Sequence, residues 1–310
     1  MTADVKELLH SESRVHSIEE LSEERRAYWD MLISTRAIPS LFTGQCRGME
    51  HLECSDCHET LRRIQTDPLL SSKILFVANS TRTGRRNPLR NVEKACRQLG
   101  QELVLSIVLT YEMENDMRED NQVPKRLLQY IRNHSTLCHV LAGIYTKEIS
   151  IGEPEAVIQA ALLSSVTTLL YAQTSQFDED SYLAFPDEQQ RLLHEEEHWG
   201  VSSPVIARRM LGTWGLVDPI PELAGRRHEP LLRMLDVDVP MHEQRQLCLI
   251  AVINALAHGY IARQSTSPEI LLDRRNYTIL RKNLIACGLY VAVGRHWGKR
   301  STENILRAAY

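Results

Sequence analysis

The chain has 310 residues, of which 43% are hydrophobic, so it can bury a sizeable core within one large domain or two modest ones. Its formal net charge of -4 excludes an overall positive field for binding nucleic acid or an anionic membrane surface. No stretch is an uninterrupted apolar run of roughly 18 residues, as a membrane span requires, and the polar segment 1–20 lacks the apolar core of a signal peptide. We therefore expect a cytoplasmic protein whose seven cysteines stay reduced.

The first part of the chain predicts short helices separated by loops and prolines. These helices are predicted over 17–34, 57–68, 68–80, 91–100 and 101–114. Asp67 ends the second of them because a residue that precedes proline disfavours the helical region, whereas Pro68 suits the start of the next helix. Gly100 is expected to end its helix as a C-terminal cap.

A Cys54-x-x-Cys57-His58 motif, with His51 nearby, has the spacing of a covalent haem attachment site or of half a zinc site. Haem attachment of this kind usually follows export, and no export signal is visible. A zinc site needs about four ligands, and no second pair with metal spacing accompanies the motif. Cys57 and Leu61 instead fall at helical spacing, so we favour plain helix packing.

The second part of the chain, after an acidic loop at 113–124, also predicts helices throughout. These are predicted over 123–150, 154–173, 186–200, 202–215, 220–230 and 241–264, with at least one more helix within 267–298. The first of them places His134 on its apolar stripe, and the second is apolar almost all round, as a central helix should be. The segment LYVAV (289–293) has strand propensity, but its neighbours favour helix.

Three segments in order resemble the HDOD domain family, which is related to the HD phosphohydrolases and is found in bacterial signalling proteins. They are DPLLSSKILFVANS (67–80), AALLSSVT (160–167) and WGVSSPVIARRMLGTWGL (199–216). The first and the third are the specific ones. The resemblance covers roughly residues 35–265.

This resemblance implies an all-α, HD-like helical bundle with a smaller N-terminal helical subdomain. The expected domain is 35–265, with an N-terminal helical lobe at 35–112 and an HD-like lobe at 123–265. Residues 1–34 and 266–310 are then helical extensions at its margins.

An HD phosphohydrolase holds a divalent metal with one His, an adjacent His-Asp pair and a later Asp, and the metal activates water. By resemblance, the first His corresponds to His134, the His-Asp pair to Ser164 and Ser165, and the later Asp to Asn254. Two further places where some relatives have histidine correspond to Ser203 and to Arg227-His228. Hydroxyls and one amide are poor substitutes for imidazole and carboxylate. The resemblance therefore implies no catalytic residues, no metal and no cofactor.

What remains at these positions is a degenerate pocket of His134, Ser164, Ser165, Ser203, His228 and Asn254. His134 is either a core histidine satisfied by Ser164 or Ser165, or part of a polar pocket for a small ligand. His228 is expected near the surface. We predict a regulatory, non-catalytic signal-transduction protein that binds signalling partners, with a divergent metal-dependent hydrolase of the HD superfamily as the alternative.

Two further clusters allow other functions. Arg82, Arg85, Arg86 and Arg90 share one loop and suit an anionic partner or a nucleotide ligand, although we favour a plain solvated loop. His194-Glu195-x-x-His198 satisfies the short zinc-protease pattern. That pattern is frequent by chance, so we favour a solvated helix face.

Overall fold

The computed structural model describes residues 17–35, 61, 64–65, 68–80, 89, 91–100, 104, 107–108, 111, 123–213, 216–262, 272 and 275–297. Within these ranges every regular element is helical and no strand occurs, so the all-α prediction is confirmed. None of the described helices is long and apolar enough to cross a lipid bilayer.

We number the described α-helices in chain order. They are α1 (Glu23–Thr35), α2 (Pro68–Ser80), α3 (Val92–Leu99), α4 (Lys125–Glu148), α5 (Pro154–Leu163), α6 (Thr168–Tyr171), α7 (Glu179–Leu183), α8 (Glu188–Trp199), α9 (Ser203–Thr213), α10 (Ile220–Arg226), α11 (Glu229–Leu232), α12 (Met241–Ile261), α13 (Thr278–Ala286) and α14 (Tyr290–Trp297). Short 3-10 turns at Ile18–Glu20 and Arg275–Tyr277 precede α1 and α13.

Several predicted helices are single elements, and others are divided. The helix predicted over 123–150 is α4, and most of the LYVAV segment lies in α14, which confirms its helical assignment. The predicted helix over 17–34 was wrong as one element because Leu21 adopts an extended backbone after the first turn. The segment 267–298, for which at least one helix was predicted, contains α13 and α14, which are separated at Gly288 with its φ of 72°.

The large core surrounds two long helices, α4 and α12, with α5 packed against both. Helix α12 is buried along almost its whole length, from Gln246 to Gly259. A helix that is apolar on every side must be covered on every side. The other helices of the second half of the chain supply that cover, so polar groups on α4 and α12 face one another in the buried interior.

A second, smaller core lies around α2 and α3. Its fully buried members include Ile74 on α2 and Ala95 on α3. Leu162 of α5 joins this core, whereas its neighbour Leu163 points into the large core. Helix α5 therefore touches both cores and ends where they meet.

The marginal helices α1, α13 and α14 also contribute to the large core. Trp29 of α1 is buried and meets the ring of Tyr171 edge-on, with 5.4 Å between the centroids. Leu284 of α13 and Val293 of α14 are fully buried. The described parts of the segments expected as extensions, 17–34 and 275–297, are thus packed onto the same interior that holds α4 and α12.

Candidate functional site

The pocket predicted from the HD positions lies where α4, the end of α5 and α12 meet. His134 comes from α4, Ser164 and Ser165 follow α5, and Asn254 comes from the middle of α12. Each of the four side chains is at most 1% exposed. The structure therefore brings these sequence-predicted residues together in the interior.

The end of α5 explains how the two serines reach this place. The predicted helix over 154–173 was wrong as a continuous element, because α5 ends at Leu163 and α6 begins only at Thr168. The Ser164 hydroxyl lies 2.8 Å from the carbonyl of Ala161, and the backbone N–H groups of this turn bond three residues back. Hydroxyls that bond the local backbone compete with the regular helix ladder. The tightened turn directs Ser164 toward α12.

Hydrogen bonds within this cluster join the helices to one another. The Ser164 hydroxyl lies 2.6 Å from Oδ1 of Asn254, and Nδ2 of Asn254 donates to the carbonyl of Ile250 at 2.9 Å. The hydroxyls of Ser165 and Ser135 are 3.0 Å apart, which ties the same turn to α4. The oxygen atoms that replace metal ligands are thus already engaged with the protein itself.

His134 is held by different neighbours from those that the sequence suggested. The sulfur of Cys138 lies 3.5 Å from its Nδ1 and 4.0 Å from its Nε2. The prediction that a serine satisfies it was therefore wrong. Burial, with the positive charges of Arg191 and Arg227 nearby, holds the pKa of His134 well below its usual value. This histidine is neutral at physiological pH.

Ser203 and Arg227 form the other side of the site. The backbone N–H of Ser203 donates to Glu195 at 2.6 Å, and Arg227 reaches the Ser203 hydroxyl at 3.4 Å. His228 is 3% exposed, so the expectation that it lies near the surface was wrong. The predicted helix over 220–230 divides at this point into α10 and α11, and this division turns both Arg227 and His228 inward.

A buried charge network lies beside the pocket, and the sequence reasoning missed most of it. Glu188, Arg191 and Glu195 occupy one face of α8, and Arg227 faces them from the end of α10. All four are at most 1% exposed. The spacing of three, four and seven between Glu188, Arg191 and Glu195 places them on one helix face and is visible in the sequence. The same spacing is typical of ion pairs on a solvated helix face, so it does not predict burial.

The contacts of this network are unequal in quality. Glu188 has only long ion pairs, at 3.7 Å to Arg191 and at 3.8 Å to Arg227, and its carboxylate accepts no hydrogen bond from the described residues. Burial raises the pKa of Glu188. Glu195 is far better held, because it accepts hydrogen bonds from the Tyr182 hydroxyl and from the Ser203 N–H.

A chain of polar contacts connects this network to α12. Arg191 donates to the hydroxyl of Tyr130, which lies 3.0 Å from Nδ1 of His258. Nε2 of His258 is 2.9 Å from the carbonyl of Phe185, so that nitrogen carries the proton and Nδ1 accepts from the tyrosine. Burial, and then Arg191, lower the pKa of His258 to about 3.

The zinc-protease pattern on α8 is divided between two faces of the helix. The rings of His194 and His198 contact one another with centroids 3.8 Å apart, whereas Glu195 points inward to Tyr182. The expectation of a solvated face was therefore wrong for Glu195. Nowhere in the described part of the chain do three His, Cys, Asp or Glu residues converge as metal ligands would.

Two sequence-predicted clusters lie outside the described residues. They are the Cys54-x-x-Cys57-His58 motif with His51, and the arginine loop of Arg82, Arg85, Arg86 and Arg90.

The residues at the HD positions do not fit a catalytic divalent cation. Ser164 and Asn254 bond each other, and His134 is the one imidazole among the four core positions. The guanidinium groups of Arg191 and Arg227 act on His134 from nearby, and the buried Glu188 and Glu195 pair with these guanidinium groups and not with the four core positions. A metal ion at the four core positions would have one imidazole and no carboxylate among its ligands.

Comparison with known proteins gives a consistent assignment of fold. The family profile of the HDOD domain matches residues 42–230. An HDOD domain protein of unknown function from Geobacter sulfurreducens has 17% sequence identity and a TM-score of 0.54, with 93% of this chain and 97% of that chain covered.

A second solved structure, from Shewanella amazonensis SB2B, is named provisionally as a metal-dependent phosphohydrolase. It has 16% identity and a TM-score of 0.56, with 93% of this chain and 98% of that chain covered. The search of curated proteins gave no match. At these identities the two structures establish the HD-like helical fold alone.

Proposed function

Because this chain belongs to the HDOD family, which is related to the HD metal-dependent phosphohydrolases, we propose that it is a regulatory protein that acts by binding and not by hydrolysis. One observation carries this proposal. At the positions where a hydrolytic HD site needs His, Asp and Asp, this chain has Ser164, Ser165 and Asn254, and all three are hydrogen-bonded to the protein itself.

The charge of the cleft supports the same proposal. Water activation by a divalent ion needs ligands that bring negative charge to it. Here the neutral His134 lies near Arg191 and Arg227, whose charges are balanced by Glu188 and Glu195. The buried arginines and glutamates thus balance one another, so no metal ion is needed to neutralise their charge.

We also propose the wider setting of this function. The protein works in the bacterial cytoplasm in signal transduction, where it binds a signalling partner, and the small polar pocket around His134 or the arginine loop at 82–90 accepts a nucleotide or another small ligand. A helical bundle transmits such binding through small shifts of packed helices. The proposed HDOD unit is 35–265, with lobes at 35–112 and 123–265, and 1–34 and 266–310 are helical extensions of it.

The second candidate is a divergent metal-dependent hydrolase of the HD superfamily. The provisional name of the Shewanella protein is the observation in its favour. Such an enzyme needs His134 as a ligand, because that is the imidazole left at the four core positions. The two candidates therefore differ in what happens when His134 is replaced.

The test measures metal content, turnover and function in the cell. The full chain is purified without chelators, its Mn, Fe and Zn are quantified by mass spectrometry, and it is assayed on p-nitrophenyl phosphate and on cyclic dinucleotides. We expect less than about 0.1 metal ion per chain at a structural HD site that lacks its ligands, and no turnover above the rate of a His134→Gln variant.

Complementation of a deletion strain of the native host then separates regulation from catalysis. His134→Gln keeps hydrogen-bonding capacity but removes the imidazole. We expect neither protein to carry metal or to turn over these substrates, so a loss of complementation by the folded variant on its own assigns His134 to the proposed ligand pocket. Stoichiometric metal in the wild-type protein, with turnover and complementation both lost in His134→Gln, supports the hydrolase and rejects the proposal.

A further inference from the structure

Two histidines form a contact pair on the outer side of α8. His194 and His198 are one helical turn apart, and the centroids of their rings are separated by 3.8 Å. His198 is exposed and His194 is half-buried. Neither imidazole hydrogen-bonds or ion-pairs with another of the described residues, so the ring nitrogens are available to a ligand from solvent.

The inner side of α8 fixes the backbone that carries this pair. Leu192 and Glu195 are fully buried, and Nε1 of the buried Trp199 donates to the Thr174 hydroxyl at 3.0 Å. Gly200 ends the helix with a φ of 75°, and its N–H bonds a carbonyl of the last turn at 2.9 Å. The two imidazoles therefore project from a helical turn that packing and its C-terminal cap hold in place.

Aromatic contacts restrict the ring of His194 further. Its centroid lies 4.7 Å from that of Phe185 and 5.6 Å from that of Trp199, which it meets edge-on. Aromatic rings pack favourably at these distances. His194 is thus a positioned imidazole, and the more exposed His198 can rotate about its side-chain bonds to match it.

Two imidazoles four residues apart on one helix face can chelate a single divalent ion. With metal–nitrogen bonds of about 2.0–2.1 Å, the two ligating nitrogens must lie roughly 3.3 Å apart in tetrahedral geometry. Because the ring centroids of His194 and His198 are 3.8 Å apart, rotation of the rings meets this requirement without movement of α8.

The direction of Glu195 separates this pair from a zinc-protease site. In such a protease the glutamate faces the metal as general base. Here Glu195 points inward and accepts hydrogen bonds from Tyr182 and from the N–H of Ser203. No third ligand joins the pair among the described residues, so water must fill the remaining positions of an ion bound there. Such an ion is held more weakly than one with four protein ligands, and it exchanges with solvent.

We propose that His194 and His198 are the two protein ligands of an exchangeable divalent ion of the late first-row transition series, which is Zn²⁺, Ni²⁺ or Cu²⁺. Imidazole suits these ions, and Mn²⁺ is the weakest binder of that series. Once the first imidazole binds, the helix places the second one at a high effective concentration. The bound ion links two consecutive turns at the end of α8 and so stabilises the folded chain.

This metal site is independent of the HD positions and of the function proposed for them. It lies on the outer side of α8, whereas His134 is fully buried. An exchangeable ion dissociates during gel filtration, and any that remained would be retained by His134→Gln. It therefore does not imitate the result that supports the hydrolase, and either proposal can fail without the other.

The test is a footprint of the full wild-type chain with diethyl pyrocarbonate, which acylates unliganded imidazoles, during a titration with Ni²⁺ or Zn²⁺. Trypsin cuts after Arg191 and after Arg208, so peptide 192–208 contains both histidines of the pair and no other. The exposed His242, which lies on peptide 234–245, is the internal control because it is the single histidine of that peptide.

We expect Ni²⁺ and Zn²⁺ to protect peptide 192–208 at concentrations at least about tenfold lower than those that protect peptide 234–245. Mn²⁺ at the same concentrations is expected to protect neither peptide.

Three variants assign the ligands. His194→Gln and His198→Gln each remove one imidazole, and we expect protection of the remaining histidine to need at least about tenfold more Ni²⁺. His242→Gln is the matched control and is expected to leave protection of the pair unchanged. Ni²⁺ is also expected to raise the melting temperature of the wild-type protein more than that of either single variant of the pair.

Two results overturn the proposal. One is protection of the two wild-type peptides over the same range of Ni²⁺ concentration, which means that His194 and His198 bind as ordinary single imidazoles. The other is undiminished protection of the remaining histidine in either variant of the pair. The wild-type footprint decides the question even if a variant folds poorly.

Discussion

Ser164 and Asn254 are linked by a 2.6 Å hydrogen bond that joins the turn after α5 to the middle of α12. Both residues are at most 1% exposed, so no water replaces this bond when it is lost. Positions that bind metal in active HD relatives here form a direct link between helices. We expect this link to stabilise the fold, which can be measured.

We expect Ser164→Ala to lower the free energy of unfolding by about 1–3 kcal/mol, because it leaves the buried Oδ1 of Asn254 without its hydroxyl donor. Urea unfolding followed by circular dichroism measures the change. Thr136→Ala is the matched control, since its hydroxyl bonds only the carbonyl of Arg132 in its own helix, and we expect a change within about 0.5 kcal/mol. Equal effects of the two variants contradict a structural link at Ser164.

The buried charge network predicts energetic coupling between Glu188 and Arg227. Each single substitution, Glu188→Gln or Arg227→Met, leaves the other charge buried with fewer counter-ions, and we expect a loss of about 3 kcal/mol or more. The double variant removes both charges, so its loss is expected to be at least about 1 kcal/mol smaller than the sum.

The exposed pair Glu93 and Arg97 is the control for this cycle. Its side chains are 42% and 68% exposed, and we expect a coupling free energy below about 1 kcal/mol. Strictly additive losses at Glu188 and Arg227, measured by urea unfolding, mean that the 3.8 Å contact contributes nothing to folding.

The fold was largely predictable from the sequence, whereas the charge network was not. The spacing of apolar residues predicts long helices such as α4 and α12, and the similarity to the HDOD family predicts how these helices are arranged in the fold. Local hydrogen bonds of Ser164 override the apolar pattern that predicted one helix over 154–173. Pattern alone could not find that break.

Burial of charge depends on tertiary packing that the sequence does not reveal. Glu188 and Arg191 have the spacing of an ordinary surface pair, and they become interior because Tyr130 and Arg227 cover that face of α8. His228 is turned inward by the break between α10 and α11. In each case the sequence does not show which neighbouring helix covers the residue.

Three buried histidines predict loss of stability in acid. Burial, and then Lys147, lower the pKa of His139 to about 4, and burial lowers that of His258 to about 3 and that of His134 well below its usual value. The unfolded chain titrates near pH 6.5, so between about pH 6.5 and pH 3 it binds more protons than the folded chain. The free energy of unfolding must therefore fall as the pH falls through that window.

His139 allows this prediction to be tested one group at a time. Neither of its ring nitrogens has a hydrogen-bond partner in the described part of the chain. We expect His139→Leu to be neutral or slightly stabilising at pH 8 and to gain about 2 kcal/mol relative to wild type by pH 5. Urea unfolding at both pH values measures this difference. Parallel pH profiles of the two proteins contradict the assignment of His139 as a buried neutral imidazole.

The replaced HD positions predict that metal binding can be restored by substitution. A variant with Ser164→His, Ser165→Asp and Asn254→Asp has the ligand types of active relatives beside His134, and Arg227→His also removes a buried positive charge from the cleft. We expect the melting temperature of the fourfold variant to rise when Mn²⁺ is added, because the metal binds the folded state alone. The same variant with Arg227 retained is expected to respond less, since its guanidinium repels the ion.

Wild-type protein is the reference for this measurement, and its melting temperature is expected to be unchanged by Mn²⁺ at concentrations up to about 1 mM. The comparison depends on the difference between adding and omitting metal, so a general loss of stability in the variants does not affect it. A rise in the wild-type melting temperature equal to that of the fourfold variant means that Ser164, Ser165 and Asn254 do not limit metal binding. In that case the hydrolase alternative becomes the better account of this cleft.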